Sequence, residues 1–356
     1  MTDIRSGRAG SAAGASTAER AGGGLVRATD SGPVIDLRRT RLERALPTFP
    51  DMANLAAEHL PAIREATDSF DSYSDFDPVS LWSWSGSVPE GYRVASCNGN
   101  VVVEFADYLS GERFLSFIGD RAVNDTAATL LAHAAEDPRL AEELRLVPEV
   151  GVAALDPSHF DVAEDVDSAD YVYLAADGAR MAGQRYKSLR WTHNSWSKRW
   201  AARSRLVWLD RAELSAHSDL ILRSLRARRS ANAAVRTDLD MEIEAITRLL
   251  DTPATWGAGF DGWSGLCMTD DEMCAVFINE RLGDRISGHF LKVTDHDCGR
   301  GFMAWYFVEL CRRADAEGVA ELNLQQDLGI VGIRAAKQQL RPSRMLHKYV
   351  VRSRAG

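Results

Sequence analysis

The stretch LNLQQDLGIVGIRAAKQQL, residues 322–340, changes its hydrophobic period at a group of polar residues. Leucines alternate with polar residues over positions 322–325, which is the two-residue period of a half-buried strand. Beyond the polar group the apolar positions follow helical spacing instead. We therefore predict that Gln325, Gln326 and Asp327 lie at the carboxyl end of a strand, on the turn into a helix. In open α/β sheets this edge commonly binds ligands.

The length and composition of the chain predict a globular protein of two domains. A chain of 356 residues exceeds one ordinary core and fits two units of about 150 residues. Its composition is 45% hydrophobic and 26% charged, which is typical of globular proteins. No apolar run reaches the ~20 residues that span a bilayer, and the first residues lack the apolar core of a signal peptide. We expect a cytoplasmic protein without a transmembrane segment, with peripheral membrane contact left open.

Basic residues are concentrated in two stretches although the net charge is −9. Residues 178–209 and 328–356 contain no acidic residue. Trp191, Trp196 and Trp200 are interleaved with the basic residues of the first stretch. Two basic surfaces on an acidic protein indicate a localised anionic ligand, and the alternative is that they are solvated helix faces.

The order of elements predicts a disordered tail and two folded regions. Residues 1–33 are rich in Gly, Ala and Ser and are predicted to be disordered. A first domain is predicted at 34–178 and a second at 179–356, where we expect the active site. The elements predicted in the first domain are strands at 100–109 and 113–119 and a helix at 124–137 that is capped by Asn124 or Asp125.

The second region contains a more specific order of elements. Strands are predicted at 273–282 and 285–293, and Gly299 and Gly301 precede a helix with a buried apolar face. The stretch 322–340 then supplies a strand, a polar turn and a second helix. This order resembles the GNAT fold of acyl-CoA N-acyltransferases, in which a glycine turn at a helix N-terminus would hold the pyrophosphate of coenzyme A. The resemblance implies an α/β (α+β) fold with mixed sheets flanked by helices.

Four motifs extend the resemblance over most of the chain. They are YSDFDPVSLWSW (73–84), GNVVVEFADYLSGERFLSFIG (99–119), DYVYLAADGARMAGQRYKSLRWTHNSW (170–196) and LNLQQDLGIVGIRAAKQQLRPSRMLHKY (322–349). In this order they resemble the phosphatidylglycerol lysyltransferase C-terminal domain family. That family consists of two tandem GNAT-like domains, an architecture shared with the Fem aminoacyl ligases.

The resemblance implies transfer of an aminoacyl group from charged tRNA to an acceptor amine or hydroxyl. The acceptor is a lipid head group in the lysyltransferases, and a peptide or small metabolite is equally open here. Because the aminoacyl-tRNA is a substrate, no cofactor is required. Two departures from the family indicate a changed substrate or a weakened activity. Family acids correspond to Gln325, Gln326 and Leu291 here, and the family's KRN reads Leu189, Arg190, Trp191.

The residues carried over from the family motifs define the predicted site. The predicted catalytic residues are Asp327, Asn323, His289 and Lys292. The predicted substrate-binding residues are Arg190, Asn194, Gln325, Gln326, Arg334 and Lys337.

Some of these residues have more specific expected roles. Arg334 and Lys337 lie three residues apart on one helix, and we expect their face to meet the terminal phosphates of the donor. Asp327 is expected to bind an amino group of the donor or acceptor. The structural alternatives are that Asp327 caps a helix, that Arg190 bridges the two domains and that His289 is a buried strand histidine.

Two other classes of function stay open. An acyl-CoA-dependent N-acyltransferase would use Gly299 and Gly301 as its cofactor site. A non-catalytic RNA-binding protein would bind tRNA whether or not it is charged. The sequence DHDC (295–298) is not predicted to bind a metal, because adjacent residues rarely converge on one ion. The aromatic residues of 73–84 are interpreted as core, with a pocket for an apolar group as the alternative.

Overall fold

The computed structural model describes residues 37–107, 110–231, 236–251, 262–294 and 296–354. The predicted disordered tail at 1–33 lies outside the described residues. Residues 108 and 109 of the first predicted strand, and residue 295 of DHDC, lie outside them as well.

The described residues form both α-helices and β-strands. The helices are α1 Leu37–Ala45, α2 Leu60–Thr67, α3 Pro78–Ser85, α4 Val123–Glu136, α5 Glu149–Val152, α6 Ala175–Arg180, α7 Lys187–Trp200, α8 Arg211–Ala216, α9 Ser218–Ala231, α10 Arg236–Asp251, α11 His296–Gly299, α12 Phe302–Ala316 and α13 Val331–Gln339. The strands are β1 Ala53–Asn54, β2 Arg93–Cys97, β3 Asn100–Ala106, β4 Arg113–Ile118, β5 Leu140–Pro148, β6 Phe160–Glu164, β7 Asp170–Leu174, β8 Ser204–Leu209, β9 Ser264–Thr269, β10 Glu272–Leu282, β11 Arg285–Val293, β12 Glu321–Asn323, β13 Arg344–Leu346 and β14 Lys348–Ser353.

Within the described residues, the strands form two mixed sheets. The first has the order β1-β2-β3-β4-β5-β14-β6, and the second has the order β13-β7-β12-β11-β10-β9-β8. Each sheet contains an antiparallel hairpin followed by a helix and a parallel strand: β3-β4-α4-β5 in one and β10-β11-α12-β12 in the other. A parallel pair needs a long crossover, and α4 and α12 supply it. The predicted order of strand, helix and strand is confirmed in the second region.

The two sheets exchange strands at the ends of these repeats. β7 lies between β12 and β13 in the second sheet, whereas β14, from the end of the chain, lies between β5 and β6 in the first. The predicted division at residue 178 separates β7 from the sheet that it joins and β14 from the first domain. The division into domains at 34–178 and 179–356 stays a prediction.

Apolar clusters attach the helices to both sheets. α4 packs on the first sheet through Leu130 and Leu131, and α12 packs on the second through Phe302 and Phe307. A third cluster contains side chains from β3 and β10 together with α3 and α10. Because this cluster draws on both sheets, it joins the two halves of the molecule through apolar burial.

Residues 322–340 fold as the periods of their hydrophobic residues predict. β12 ends at Asn323, a turn follows, and α13 begins after Ile330. Leu322 is fully buried in the core of the second sheet, and Asn323 faces the opposite way. The predicted capping of α4 was wrong. The cap of α4 is Ala122, because Asn124 instead bonds the backbone of residues 154 and 156.

A buried ion cluster joins the two sheets directly beneath this turn. Lys348 of β14 is fully buried, and its Nζ lies 2.7 Å from Oδ1 of Asp170 on β7 and also pairs with Asp75. Oδ2 of Asp170 accepts a hydrogen bond from Asn323 Nδ2 at 3.0 Å. Gln326 Nε2 donates to Asp75 Oδ1 at 3.2 Å. The cluster therefore connects the first residue of each exchanged strand, Asp170 of β7 and Lys348 of β14, to the polar turn.

We expect Lys348→Met to destabilise the protein by about 3–5 kcal/mol, because it leaves the buried carboxylates of Asp75 and Asp170 without their cation. Urea unfolding followed by circular dichroism measures this loss. The matched control is Arg354→Met, which removes a cation from a half-exposed pair with Asp161 and should cost about 0–1 kcal/mol. Similar losses in both variants would contradict a central role for Lys348.

Candidate functional site

The turn between β12 and α13 has an unusual backbone that Lys337 holds in place. Gln325 adopts a left-handed conformation with φ of 61°, which is costly for a residue with a side chain. Lys337 is buried, and its Nζ donates to the carbonyl oxygens of Leu324 at 2.7 Å, Gln325 at 3.0 Å and Gln326. Burial lowers the pKa of Lys337 to about 8. Three carbonyls that point at one cation define the shape of this turn.

Asp327 closes the turn through internal hydrogen bonds. Its carboxylate is 1% exposed and accepts from Arg334 Nε and Nη2, each at 2.8 Å, and from the Tyr171 hydroxyl at 2.5 Å. The hydrogen bonds from Arg334 lower the pKa of Asp327 to about 2. The cap of α13 is Ile330, so Asp327 is not the helix cap. Asp327 Oδ1 instead accepts the N–H of Gly329 at 2.9 Å.

These contacts determine how much positive charge the predicted phosphate-binding face of α13 offers to a ligand. Arg334 is shared between Asp327 and Asp167, and Lys337 is occupied by backbone carbonyls. The charge of Arg334 is therefore compensated by two carboxylates, and the ammonium of Lys337 is enclosed by backbone carbonyls. Their roles in binding donor phosphates, and that of Asp327 in binding an amino group, stay predictions.

Asn323 positions the turn from the side of the first sheet. Its Oδ1 accepts the N–H of Gln325 at 2.7 Å, and its Nδ2 donates to the Ser72 carbonyl at 2.6 Å. Asn323 is 3% exposed and lies beneath the surface of the site. The structure thus places it behind Gln325, where it orients the backbone.

Two clefts meet at this turn. The larger has a volume of 660 Å³ and lies between β11, α10, α12 and α13. The smaller has a volume of 480 Å³ and is lined mainly by strands of the first sheet and by α3. Both are lined by Trp84, Gln325, Gln326 and Leu328. The polar turn is therefore the wall between two separate approaches to one point.

Gln325 and His289 form the polar part of that wall. Gln325 Nε2 lies 3.1 Å from His289 Nδ1, and His289 lines the larger cleft. His289 Nε2 lies 3.3 Å from Oε2 of Glu280, a residue that is 3% exposed. Ser80 Oγ lies 3.2 Å from His289 Nδ1. The predicted histidine thus sits among polar groups from three elements of the fold.

Lys292 lies at the edge of the larger cleft, farther from the wall. Its Nζ pairs with Glu242 Oε1 of α10 at 2.5 Å, and both residues line this cleft. The structure brings together Gln325, Gln326, His289, Lys292 and Lys337 around one cleft.

Arg190 and Asn194 lie on α7, outside both clefts. Arg190 Nη1 donates to the carbonyl of Gly183 at 2.7 Å and to that of Met181, so it holds the end of α6 within the second region. Asn194 is exposed.

One face of α7 presents positive charge and an aromatic ring to the surface. Trp191 is 72% exposed, and the exposed residues at helical spacing around it are Lys187, Asn194 and Lys198. We call these four residues the basic face of α7. Trp196 and Trp200, on the opposite side, are buried in the core of the second sheet. Sequence reasoning did not separate the exposed tryptophan from the buried ones.

The glycine turn is packed against α7. Gly301 is the cap of α12 with φ of 87°, which favours glycine. A Cβ at this position would lie 3.3 Å from Thr192 Cγ2, and Trp196 Nε1 donates to the nearby Cys298 carbonyl at 2.8 Å. Gly299 and Gly301 line neither cleft. Their role as a pyrophosphate site stays a prediction.

Sequence reasoning missed Ser80 and Glu280 as members of this site, and also Asp77, a buried carboxylate next to the charge of Glu280. Ser80 and Asp77 belong to the motif YSDFDPVSLWSW, whose aromatic residues were interpreted as core. Tyr73 and Trp82 are buried, as that interpretation predicts. Trp84 lines both clefts, which fits the alternative of a pocket. The polar residues between the aromatic ones were the available signal.

The comparisons place the chain in a family. The model of "Phosphatidylglycerol lysyltransferase, C-terminal" matches residues 112–352, more than half of the chain. The chain therefore belongs to this family, and it is a transferase of the acyltransferase type with a tandem GNAT-like α/β fold. No curated protein matches the sequence.

Solved structures share the fold at low sequence identity. A conserved protein of unknown function from Bacteroides thetaiotaomicron VPI-5482 is 19% identical, with a TM-score of 0.69 over 85% of this chain and 99% of its own. A C-terminal domain from Agrobacterium fabrum, described as part of a lysylphosphatidylglycerol synthetase, is 11% identical, with a TM-score of 0.55 over 90% and 92%. L-PGS from Bacillus licheniformis is 14% identical, with a TM-score of 0.50 over 78% and 88%. These likenesses confirm the predicted fold.

Among the described residues, no helix combines the length and the apolar character that crossing a membrane requires.

Asp77 makes the stability of the site dependent on pH. It is 5% exposed, and burial, followed by the nearby charge of Glu280, raises its pKa to about 7. Between pH 4 and 7 the native state therefore holds a proton that the unfolded chain, with a pKa of about 4, releases. The contribution of Asp77 to stability is lost as the pH rises through this window.

We expect Asp77→Asn to melt about 3 °C or more above the wild-type protein at pH 8, because the neutral amide removes the buried charge. At pH 5 the difference should be smaller, because Asp77 is then protonated in the native state and only the unfolded wild-type chain carries the charge. Thermal melts over pH 5–8 measure it, with the exposed Asp120→Asn as the control. A difference that is the same at both pH values would contradict this account of Asp77.

Proposed function

We propose that this protein transfers an aminoacyl group from a charged tRNA to an acceptor amine or hydroxyl. The observation that carries the proposal is that two clefts meet at Gln325. A transfer between two substrates needs two approaches that end at one reacting carbon. Membership of the lysyltransferase family supports aminoacyl transfer as the type of reaction.

The donor tRNA is assigned to the side of α7. Its basic face combines lysines, which attract phosphates, with Trp191, on which an unpaired base can stack. α7 contacts the end of α13, where Gln339 Nε2 donates to Thr192 Oγ1 at 3.0 Å. α13 is one wall of the larger cleft, so a tRNA on α7 would have its aminoacyl end near that cleft.

The acceptor is assigned to the smaller cleft. Three acids, Asp75, Asp107 and Asp165, line it together with one cation, Arg145, and of these acids Asp75 is paired with the buried Lys348. Arg145 is itself paired with Glu112 and Glu143. The balance of charge favours an acceptor that carries an amine, such as a peptide or small metabolite, over an anionic lipid head group.

The chemistry requires alignment and proton transfer more than a strong nucleophile. An aminoacyl ester is already activated, so holding the attacking group near its carbonyl supplies much of the acceleration. The amide N–H of Gln325 is placed to stabilise a developing oxyanion, and His289 is placed to accept the proton of an attacking group. Gln325 belongs to the turn itself, and His289 comes from the neighbouring strand β11.

Side-by-side binding tests the proposal against its alternatives. We expect the purified protein to bind aminoacylated tRNA more tightly than deacylated tRNA, and acetyl-coenzyme A weakly, at near-physiological salt. Equal binding of both tRNAs without transfer would indicate a non-catalytic RNA-binding protein. Tight, saturable binding of acetyl-coenzyme A alone would favour an acyl-CoA-dependent N-acyltransferase that uses Gly299 and Gly301.

We expect the double variant Lys187→Glu, Lys198→Glu to bind charged tRNA about tenfold or more weakly at 150 mM salt, because each reversal removes a phosphate contact and adds repulsion. The salt dependence of binding should become shallower at the same time. Arg139→Glu, at an exposed position in the first domain, is the matched control and should bind like the wild-type protein. An unchanged affinity in the double variant would remove α7 from the donor site.

A further inference from the structure

Ser80 and His289 meet through the wall between the two clefts. Ser80 is the third residue of α3 and lines the smaller cleft, whereas His289 on β11 lines the larger one. They are 5% and 6% exposed, and Ser80 Oγ lies 3.2 Å from His289 Nδ1. A hydroxyl and an imidazole at this distance can exchange a proton.

The surroundings of His289 define which of its nitrogens carries the proton. Gln325 Nε2, which can only donate, lies 3.1 Å from Nδ1, so Nδ1 presents its lone pair. The proton of the neutral ring is then on Nε2. Nε2 makes no hydrogen bond to any described residue but lies 3.3 Å from Oε2 of Glu280. An imidazolium at His289 would therefore face a buried carboxylate.

Glu280 is itself held in position. Its Oε2 accepts the backbone N–H of Val79 at 3.2 Å, in the first turn of the helix that carries Ser80. The carboxylate and the serine are thus attached to the same helical turn. A hydroxyl 3.2 Å from one nitrogen of an imidazole and a carboxylate 3.3 Å from the other are the components of an activated nucleophile.

We propose that Ser80 is a catalytic nucleophile that carries the transferred acyl group as a covalent ester, with His289 as its general base and Glu280 as the carboxylate that orients and stabilises the imidazolium. This inference rests on the proposed function, because it names the group that receives the acyl moiety between donor and acceptor. It also gives a function to the polar turn that separates the two clefts. The acyl group can enter from one cleft and leave to the other without direct contact between the two substrates.

The two half-reactions balance without a further reactant. In the first, Ser80 Oγ attacks the ester carbonyl of the donor while its proton moves to His289 Nδ1. The bond to the donor oxygen breaks, and that oxygen takes the proton from His289. In the second, the acceptor amine or hydroxyl gives a proton to His289 and attacks the acyl-serine carbonyl. The bond to Ser80 Oγ breaks, and Oγ recovers the proton.

Gln325 is a donor for the oxyanion of both half-reactions. Its Nε2 lies 3.4 Å from Ser80 Oγ as well as close to His289. A carboxylate next to Ser80 would repel the oxyanion, whereas an amide stabilises it. The neutral side chain of Gln325 therefore suits a serine nucleophile.

A fluorophosphonate probe tests the nucleophile without any substrate. We expect it to add one phosphonyl group per chain, located at Ser80 by peptide mapping, with labelling absent in Ser80→Ala. His289→Gln should react at least about 100-fold more slowly, because it removes the base. Ser83→Ala, on the same helix and also buried, is the control and should label normally. Failure of the folded wild-type protein to label, or labelling that persists in Ser80→Ala, would overturn the proposal.

A second readout separates this proposal from the proposed function. The protein is mixed with tRNA charged with an isotope-labelled amino acid and quenched in acid, and we expect label attached to Ser80 as a hydroxylamine-sensitive ester. Transfer to acceptors with an undiminished rate in Ser80→Ala would reject the covalent step and leave aminoacyl transfer standing. Probe labelling at Ser80 without any reaction with charged tRNA would support the nucleophile and reject the tRNA donor. Circular dichroism of each variant verifies that it is folded.

Discussion

The ion cluster around Lys348 is the interaction on which the rest of the structure depends. A fully buried ammonium is costly unless carboxylates surround it, and here Asp75 and Asp170 come from widely separated parts of the chain. Asp170 is on β7 in the second sheet and Lys348 is on β14 in the first. The same carboxylates accept hydrogen bonds from Asn323 and Gln326. One cluster therefore aligns the exchanged strands and supports the polar turn.

Residues of the turn above this cluster have two different roles. Some stabilise the backbone of the turn, and others line the clefts. Lys337 binds three carbonyls, and Arg334 neutralises Asp327, so the charged groups stabilise a strained backbone. Gln325 is then presented to the wall between the clefts, where it meets His289. A neutral amide and an imidazole at the proposed reacting point, with the charges behind them, fit the proposed acyl transfer from an activated ester.

In this protein the tandem repeats, the two clefts and the basic face of α7 have a specific arrangement relative to the polar turn and α13. The tandem repeat places one parallel strand pair in each sheet, and the strand exchange brings the ends of these repeats together. Both clefts are then lined by Gln325. α7 carries the exposed Trp191 and contacts α13, one wall of the larger cleft, through the hydrogen bond between Gln339 and Thr192.

The sequence by itself determined the local structure and the family. The change of period at 322–340 predicted β12, the turn and α13, because side-chain periodicity is set by neighbouring residues. The motif order predicted the tandem GNAT-like fold, which the comparisons confirm. The sequence also indicated the basic stretch of α7, though not which of its tryptophans is exposed.

The tertiary structure alone decided which of these groups meet. Ser80 and His289 are 209 residues apart, and Lys348 and Asp170 are 178 apart. Contacts at such separations depend on how sheets and helices pack, which no local pattern encodes. The same packing directs Arg334 to Asp327 and Lys337 to backbone carbonyls, although their helical spacing is compatible with a ligand-binding face. Burial and pairing, which arise only when the chain is folded, therefore define the chemistry available at the site.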